Sequence, residues 1–193
     1  MTVFRSFIAI NLPEPVRERL GQVIGQLRQD LPNAPVRWVL PENIHLTLKF
    51  LGDVSVANVE MLNRILETIT SGFQSFEFSV GGLDAFPSAR RPRVVWVGVQ
   101  APQDLLTMQR SIDTETARMG YQSDSRAYTP HLTLGRVARN ANNREVKVLS
   151  SVLEQTDVGF LGVARVEQVH LYKSELQPGG AVYTKIYSAD LKN

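Results

Sequence analysis

The sequence predicts an α+β fold of two pseudo-symmetric lobes, each a mostly antiparallel sheet with helices on its outer face and a cleft between them. Two observations carry this expectation. The tetrapeptide His-Leu-Thr-Leu occurs twice, at His45-Leu46-Thr47-Leu48 and His131-Leu132-Thr133-Leu134, and holds two of the three histidines. Around each copy the order strand, helix, strand, helix, strand repeats, and the spacing from Pro13 to Pro102 is close to that from His45 to His131. The chain of 193 residues therefore reads as a single bilobal domain. Its duplicated lobes fall at roughly 1–90 and 91–193, with strands exchanged between them.

Each element follows from pattern. Residues Val3 to Ile10, rich in Val, Ile and Phe, predict a first strand. Asn11-Leu12-Pro13-Glu14 opens a helix whose Val16, Leu20, Val23, Ile24 and Leu27 share one stripe. Val36 to Leu40 is a short strand before the first motif strand, in which Ile44, Leu46, Leu48 and Phe50 alternate against His45, Thr47 and Lys49. Ser55 is an N-cap for a helix burying Val59, Leu62, Leu66 and Ile69, and Phe76 to Val80 is a strand. Gly81 to Pro92, with its Gly, Pro and Arg, is the best linker. In the second half Arg93 to Val99 is a strand. Pro102 starts a helix with Leu105, Leu106, Gln109, Ile112 and Met119 that Gly120 stops. The second motif strand follows, then a helix around Glu145 to Gln155 with Val146, Leu149, Val152 and Leu153. Strands near Leu161 to Lys173 and Ala181 to Ala189 complete the chain.

Composition excludes several classes. The chain has no cysteine, which removes disulfides, thiolate metal sites and a cysteine nucleophile and fits a cytoplasmic protein. A net charge of +2 is too mild for a nonspecific DNA coat yet allows a local basic groove. No apolar run approaches the roughly 20 residues of a membrane span, and Phe4 to Ile10 reads as a strand rather than a signal peptide.

In an extended chain, residues two apart share a face, so each motif displays an imidazole and a hydroxyl opposite two buried leucines. If the lobes pack about a pseudo-twofold axis, the two polar faces meet across one cleft. Displacement at phosphorus needs entering and leaving oxygens roughly in line, and two opposed histidines supply a base on one side and an acid on the other. The threonine hydroxyls donate to the non-bridging oxygens, where charge develops. Two imidazoles without a Cys, Asp or Glu at ligand spacing make a poor zinc site, so no metal is expected.

At these residues the chain resembles the two-histidine phosphoesterase superfamily, and within it the RNA 2′,3′-cyclic phosphodiesterase family, also called 2′-5′ RNA ligases. That superfamily carries one His-x-Thr-x motif per lobe, matched here at His45, Thr47, His131 and Thr133. The surroundings are similar too: Arg5-Ser6-Phe7-Ile8-Ala9-Ile10, Asn43-Ile44, Lys49-Phe50-Leu51-Gly52, Thr129-Pro130 and Gly135-Arg136. The resemblance implies hydrolysis of a terminal 2′,3′-cyclic phosphate to a 2′-phosphate without metal or any cofactor, with reverse 2′-5′ joining of RNA ends. It implies RNA ends, tRNA halves among them, as the partner. It also implies His131 as the base and His45 as the acid in hydrolysis, although the residues themselves leave this assignment open. The duplication supplies a twofold site within one chain, so a monomer is expected.

Further candidates surround the motifs. Lys49 shares the parity of His45 and Thr47, and either approaches substrate or is solvated. Arg136 resembles a basic residue that holds phosphate, but strict alternation puts it opposite His131; only a bend or bulge at Gly135 returns it to the site. Arg90, Arg91 and Arg93 form a basic cluster that reads best as a solvated loop. Phe7, Phe86 and Tyr128 are candidates for stacking a base as well as for core packing, whereas Trp38 and Trp96 read as core. His170, without a Thr two residues on, reads as a structural or surface residue. Two other readings use the same features: a phosphodiesterase of a small nucleotide, such as a cyclic phosphate of ADP-ribose or a 2′-5′ oligonucleotide, and a non-catalytic module that binds RNA ends.

Overall fold

Strand β1 (Val3–Asn11) sends Ile8 and Ile10 into the core and Phe7 and Ala9 to its other face. Pro13 precedes α1 (Glu14–Asp30), which buries Val16, Leu20, Ile24 and Leu27. Next come β2 (Val36–Trp38), a 3-10 turn and β3 (His45–Ser55), the first motif strand. The Ser55 hydroxyl accepts from the Ala57 amide at 3.3 Å and so caps a second 3-10 turn, which leads into α2 (Val59–Thr70). β4 (Phe76–Phe86) and β5 (Val94–Gln100) are followed by α3 (Gln103–Arg118), after which Gly120 adopts φ +93°. Such a positive φ is open to glycine at little cost and stops the helix. β6 (His131–Val137) is the second motif strand. Asn142 and Glu145 cap each other's backbone at the start of α4 (Asn143–Gln155), and β7 (Phe160–Val166), β8 (Gln168–Gln177) and β9 (Gly180–Asp190) finish the chain. The computed structural model describes residues 2–178 and 180–193.

These strands form two antiparallel sheets, ordered β3-β1-β8-β9 and β2-β6-β5-β4-β7. Each sheet draws on both halves of the sequence. β8 and β9 complete the sheet of the first motif, while β2 and β4 join that of the second. The change of sheet falls at Glu167, between β7 and β8, within a stretch that a local pattern shows as continuously strand-like. α1 crosses as well: it lies over β7, where Arg19 Nη1 donates to the Leu161 carbonyl at 2.9 Å.

Three expectations need correction. Gly81 to Phe86 is not linker but the second half of β4, paired along its length with β5. β2 ends at Trp38 and pairs with β6 of the other half. α4 begins at Asn143, ahead of Glu145, because the Asn142-x-x-Glu145 capping box sets its start.

One core joins the sheets. Leu46 and Leu48 of the first motif lie in the same buried cluster as Leu132 and Leu134 of the second, with Val95, Val97, Leu105, Met108 and Ile112. The helices cover this side, so the opposite faces of both sheets are left for the motif histidines. Among the described residues no helix is long and apolar enough to cross a membrane.

Candidate active site

The two motif strands carry the same irregularity. Across β1 and β3, Ala9 opposes Thr47 but Ile8 opposes Lys49, so Leu48 is an extra residue. Across β5 and β6, Trp96 opposes Thr133 but Val95 opposes Gly135, so Leu134 is extra. An extra residue reverses the alternation beyond it. Before each bulge the His and Thr face away from the core. After it the next residue, Lys49 or Gly135, turns toward the core, and Phe50 or Arg136 returns to the histidine side. Arg136 therefore shares the face of His131 and Thr133, as the condition placed on Gly135 required. Gly135 also has to be glycine, since a Cβ there would lie 2.7 Å from Val36 Cγ1 and 2.9 Å from Trp38 Cε3.

Both imidazoles are held alike. Nδ1 of His45 lies 2.9 Å from the Asn43 carbonyl and Nδ1 of His131 lies 2.8 Å from the Thr129 carbonyl. A carbonyl only accepts, so each Nδ1 carries the proton and each Nε2 of the neutral ring is an acceptor. His45 stacks on Phe7 at 4.6 Å between ring centroids and meets the edge of Tyr183 at 5.2 Å. His131 meets Phe86 edge-on at 4.9 Å, with Trp96 at 6.0 Å. Burial among these rings lowers the His45 pKa to about 4, against the raising effect of the Asn43 carbonyl. Burial lowers His131 as well, opposed by the Thr129 carbonyl and aided by the nearby charge of Arg136. Both rings are thus neutral near pH 7 in the free protein.

The two motif strands belong to different sheets yet lie close to each other. Tyr128, three residues before His131, donates its hydroxyl to the Thr47 carbonyl at 2.9 Å. This bond ties the second motif to the first.

The substrate-binding candidates divide. Arg136 lies on the histidine face and is exposed. Lys49 does not share the face of His45: the bulge turns it inward, 6% exposed, to donate to Asp113 at 2.5 Å and to the Gln122 carbonyl at 2.6 Å. Phe7 is only 3% exposed, so it supports the His45 ring and has no open face for a nucleobase. The Tyr128 hydroxyl is spent on Thr47, and burial raises its pKa. Trp96, read as core, instead lies on the His131 side of β5. His170 is buried and structural, with Nδ1 2.9 Å from Ser188 Oγ.

Two residues near the histidines escape a local reading. Phe50 belongs to the expected apolar face but is 63% exposed, opposite Phe7 on the His45 side. Tyr183 reaches His45 from β9, a strand with no motif near it. The symmetry with Arg136, five residues after its histidine, is a signal that could have found Phe50; none points to Tyr183. Among the described residues there is no group of three His, Cys, Asp or Glu side chains placed to hold a metal.

Comparison with known proteins meets this geometry from another side. The model of the family described as LigT-like phosphoesterases matches twice, over residues 10–96 and 97–183. An RNA 2′,3′-cyclic phosphodiesterase of Methanothermobacter thermautotrophicus is 38% identical, covering 93% of this chain and 95% of the relative. A protein of the same name from Thermotoga maritima is 31% identical over 97% and 96%. Among solved structures, Escherichia coli LigT complexed with 3′-AMP superposes with a TM-score of 0.79, at 27% identity and full coverage of both chains. A protein of Thermus thermophilus, TT0787, shares the fold, with a TM-score of 0.81 at 24% identity over 98% of each chain. The chain belongs to the LigT-like phosphoesterase family.

Proposed function

We propose that this LigT-like phosphoesterase hydrolyses the 2′,3′-cyclic phosphate at the end of an RNA to a 2′-phosphate, as a monomer in the cytoplasm, with the two lobes acting as one unit. The carrying observation is the matched pair of neutral imidazoles. Each is locked through Nδ1 to the carbonyl two residues before it, and each leaves Nε2 for a reacting oxygen.

In the step, one Nε2 takes a proton from water as the water oxygen bonds to phosphorus. The bond from phosphorus to O3′ breaks, and the other imidazole delivers a proton to O3′. The product carries a 2′-phosphate and a free 3′-hydroxyl. Thr47 and Thr133 donate to the non-bridging oxygens, and Arg136 offsets the charge that gathers there. The resemblance gives the base to His131 and the acid to His45. With a pKa near 4 in the free protein, His45 gains its proton together with substrate, because a bound phosphate anion favours the imidazolium. Replacing water by an RNA 5′-hydroxyl gives the 2′-5′ joining reaction on the same groups. tRNA halves, whose cleaved ends carry both groups, are the natural class to try.

The test incubates metal-stripped protein with a short RNA ending in 2′,3′-cyclic phosphate, beside the His45→Ala/His131→Ala variant. Conversion to a 2′-phosphate end by the wild type alone supports the proposal. Equal turnover by the double variant, or turnover that returns only with added divalent metal, rejects it.

A further inference from the structure

We infer that Arg37, beside Arg136, binds the phosphodiester next to the reacting end, so that the site reads an RNA chain and not only its terminal nucleotide. This rests on the function proposed above. Arg37 lies on β2, and its direct cross-strand partner on β6 is Arg136. Its neighbours Val36 and Trp38 pack toward the core over Gly135, so Arg37 presents its side chain on the face of Arg136, Thr133 and His131. Like charges directly opposite in an antiparallel pair are destabilising. Among the described residues neither arginine has a carboxylate within 4.0 Å, although ion pairs form elsewhere on the surface. Substrate phosphates at this pair offset the repulsion, and the planar guanidinium forks suit phosphate oxygens.

Position separates the two roles. Arg136 is close enough to His131 to lower its pKa and serves the reacting phosphate. Arg37 stands one strand further out, about 4.8 Å away. Its guanidinium reaches toward the other sheet, where a Cβ on Gly180 of β9 would lie 3.4 Å from Nη2. On this inference it lines the path by which a longer substrate leaves the reacting centre. The other lobe has Phe50 where this one has Arg136, so the paired cations lie on the His131 side alone.

The experiment compares a nucleoside 2′,3′-cyclic phosphate with a dinucleotide ending in the same group, using wild type, Arg37→Gln and Arg37→Lys. For Arg37→Gln the dinucleotide KM should rise roughly tenfold, the scale of one charged hydrogen bond, while the mononucleotide KM stays put. The slope of log KM against log salt for the dinucleotide should fall by about 0.7, one phosphate contact on a single strand. Arg37→Lys should recover most of the loss, and the melting temperature of Arg37→Gln should not fall, since repulsion is relieved. Equal KM changes for both substrates, or no change for either, overturns the inference. Equilibrium binding of the two 2′-phosphate products repeats the comparison without turnover. Absence of turnover in the wild type would therefore count against the proposed function alone.

Discussion

His45 and His131 share a tautomer and differ in surroundings, and the difference has kinetic consequences. Replacing either by Ala should lower kcat about 10²–10⁴-fold, the range for a general acid or base. The double variant should lose less than the product of the two, because the groups act as a unit; steady-state rates on one cyclic substrate decide this. Both imidazoles are held below their ordinary pKa by burial. The kcat/KM profile reports the free protein, so its optimum should fall below pH 6.5. The kcat profile should lie at higher pH, since bound phosphate raises both groups. Arg136→Gln removes a charge that lowers His131. The limb that His131 governs should then move to higher pH, while the limb that His45 governs stays in place. A profile that moves as a whole would contradict this.

At the scale of elements, the two bulges decide what surrounds each histidine. Gly135→Ala forces a methyl group to within 2.7 Å of Val36 and 2.9 Å of Trp38. Overpacking of this kind costs about 1–3 kcal/mol, and the displacement of β2 should also reduce activity on RNA ends; denaturant midpoints and rates measure the two effects. In the first lobe the equivalent position is Lys49, anchored to Asp113 of α3. Asp113→Ala leaves a buried ammonium with one carbonyl acceptor. The cost should be about 3 kcal/mol, at the low end for a broken buried pair because the Asp113 side chain is 26% exposed. Read by denaturant unfolding, this loss should leave KM for a mononucleotide unchanged, since Lys49 points away from the histidine face.

For the whole molecule, acid stability follows from two buried imidazoles. His45 and His170 are each lowered from 6.5 to about 4, first by burial and for His170 also by Lys185, with Asp190 opposing. Between those pH values the unfolded chain binds more protons than the folded one, so stability rises with pH across this window. It is fully present above 6.5 and is lost as pH falls toward 4. Melting temperatures should drop across that interval, and the drop should be smaller in His45→Ala. An unchanged acid profile in that variant would show that His45 does not carry the effect.

Much of this protein is legible in its residues taken in order. The period-two alternation of His-Leu-Thr-Leu is a local property of extended backbone, so the sidedness of His45, Thr47, His131 and Thr133 is readable without a fold. Helix stripes such as Val16, Leu20, Ile24 and Leu27, and stops such as Gly120, depend on neighbours within a turn or two. The duplication needs only comparison of the chain with itself. What tertiary structure alone decided depends on contacts between distant segments. A bulge is a register slip against a partner strand, so it could not be read from β3 or β6 alone; it took Lys49 from the site and delivered Phe50 and Arg136 to it. Strand exchange put β8 beside β1 and β9 beyond it, and brought Tyr183 against His45. Burial by those distant rings, and not the identity of the histidines, lowers their proton affinity and leaves both neutral, because desolvation belongs to the packed molecule and not to any stretch of its chain.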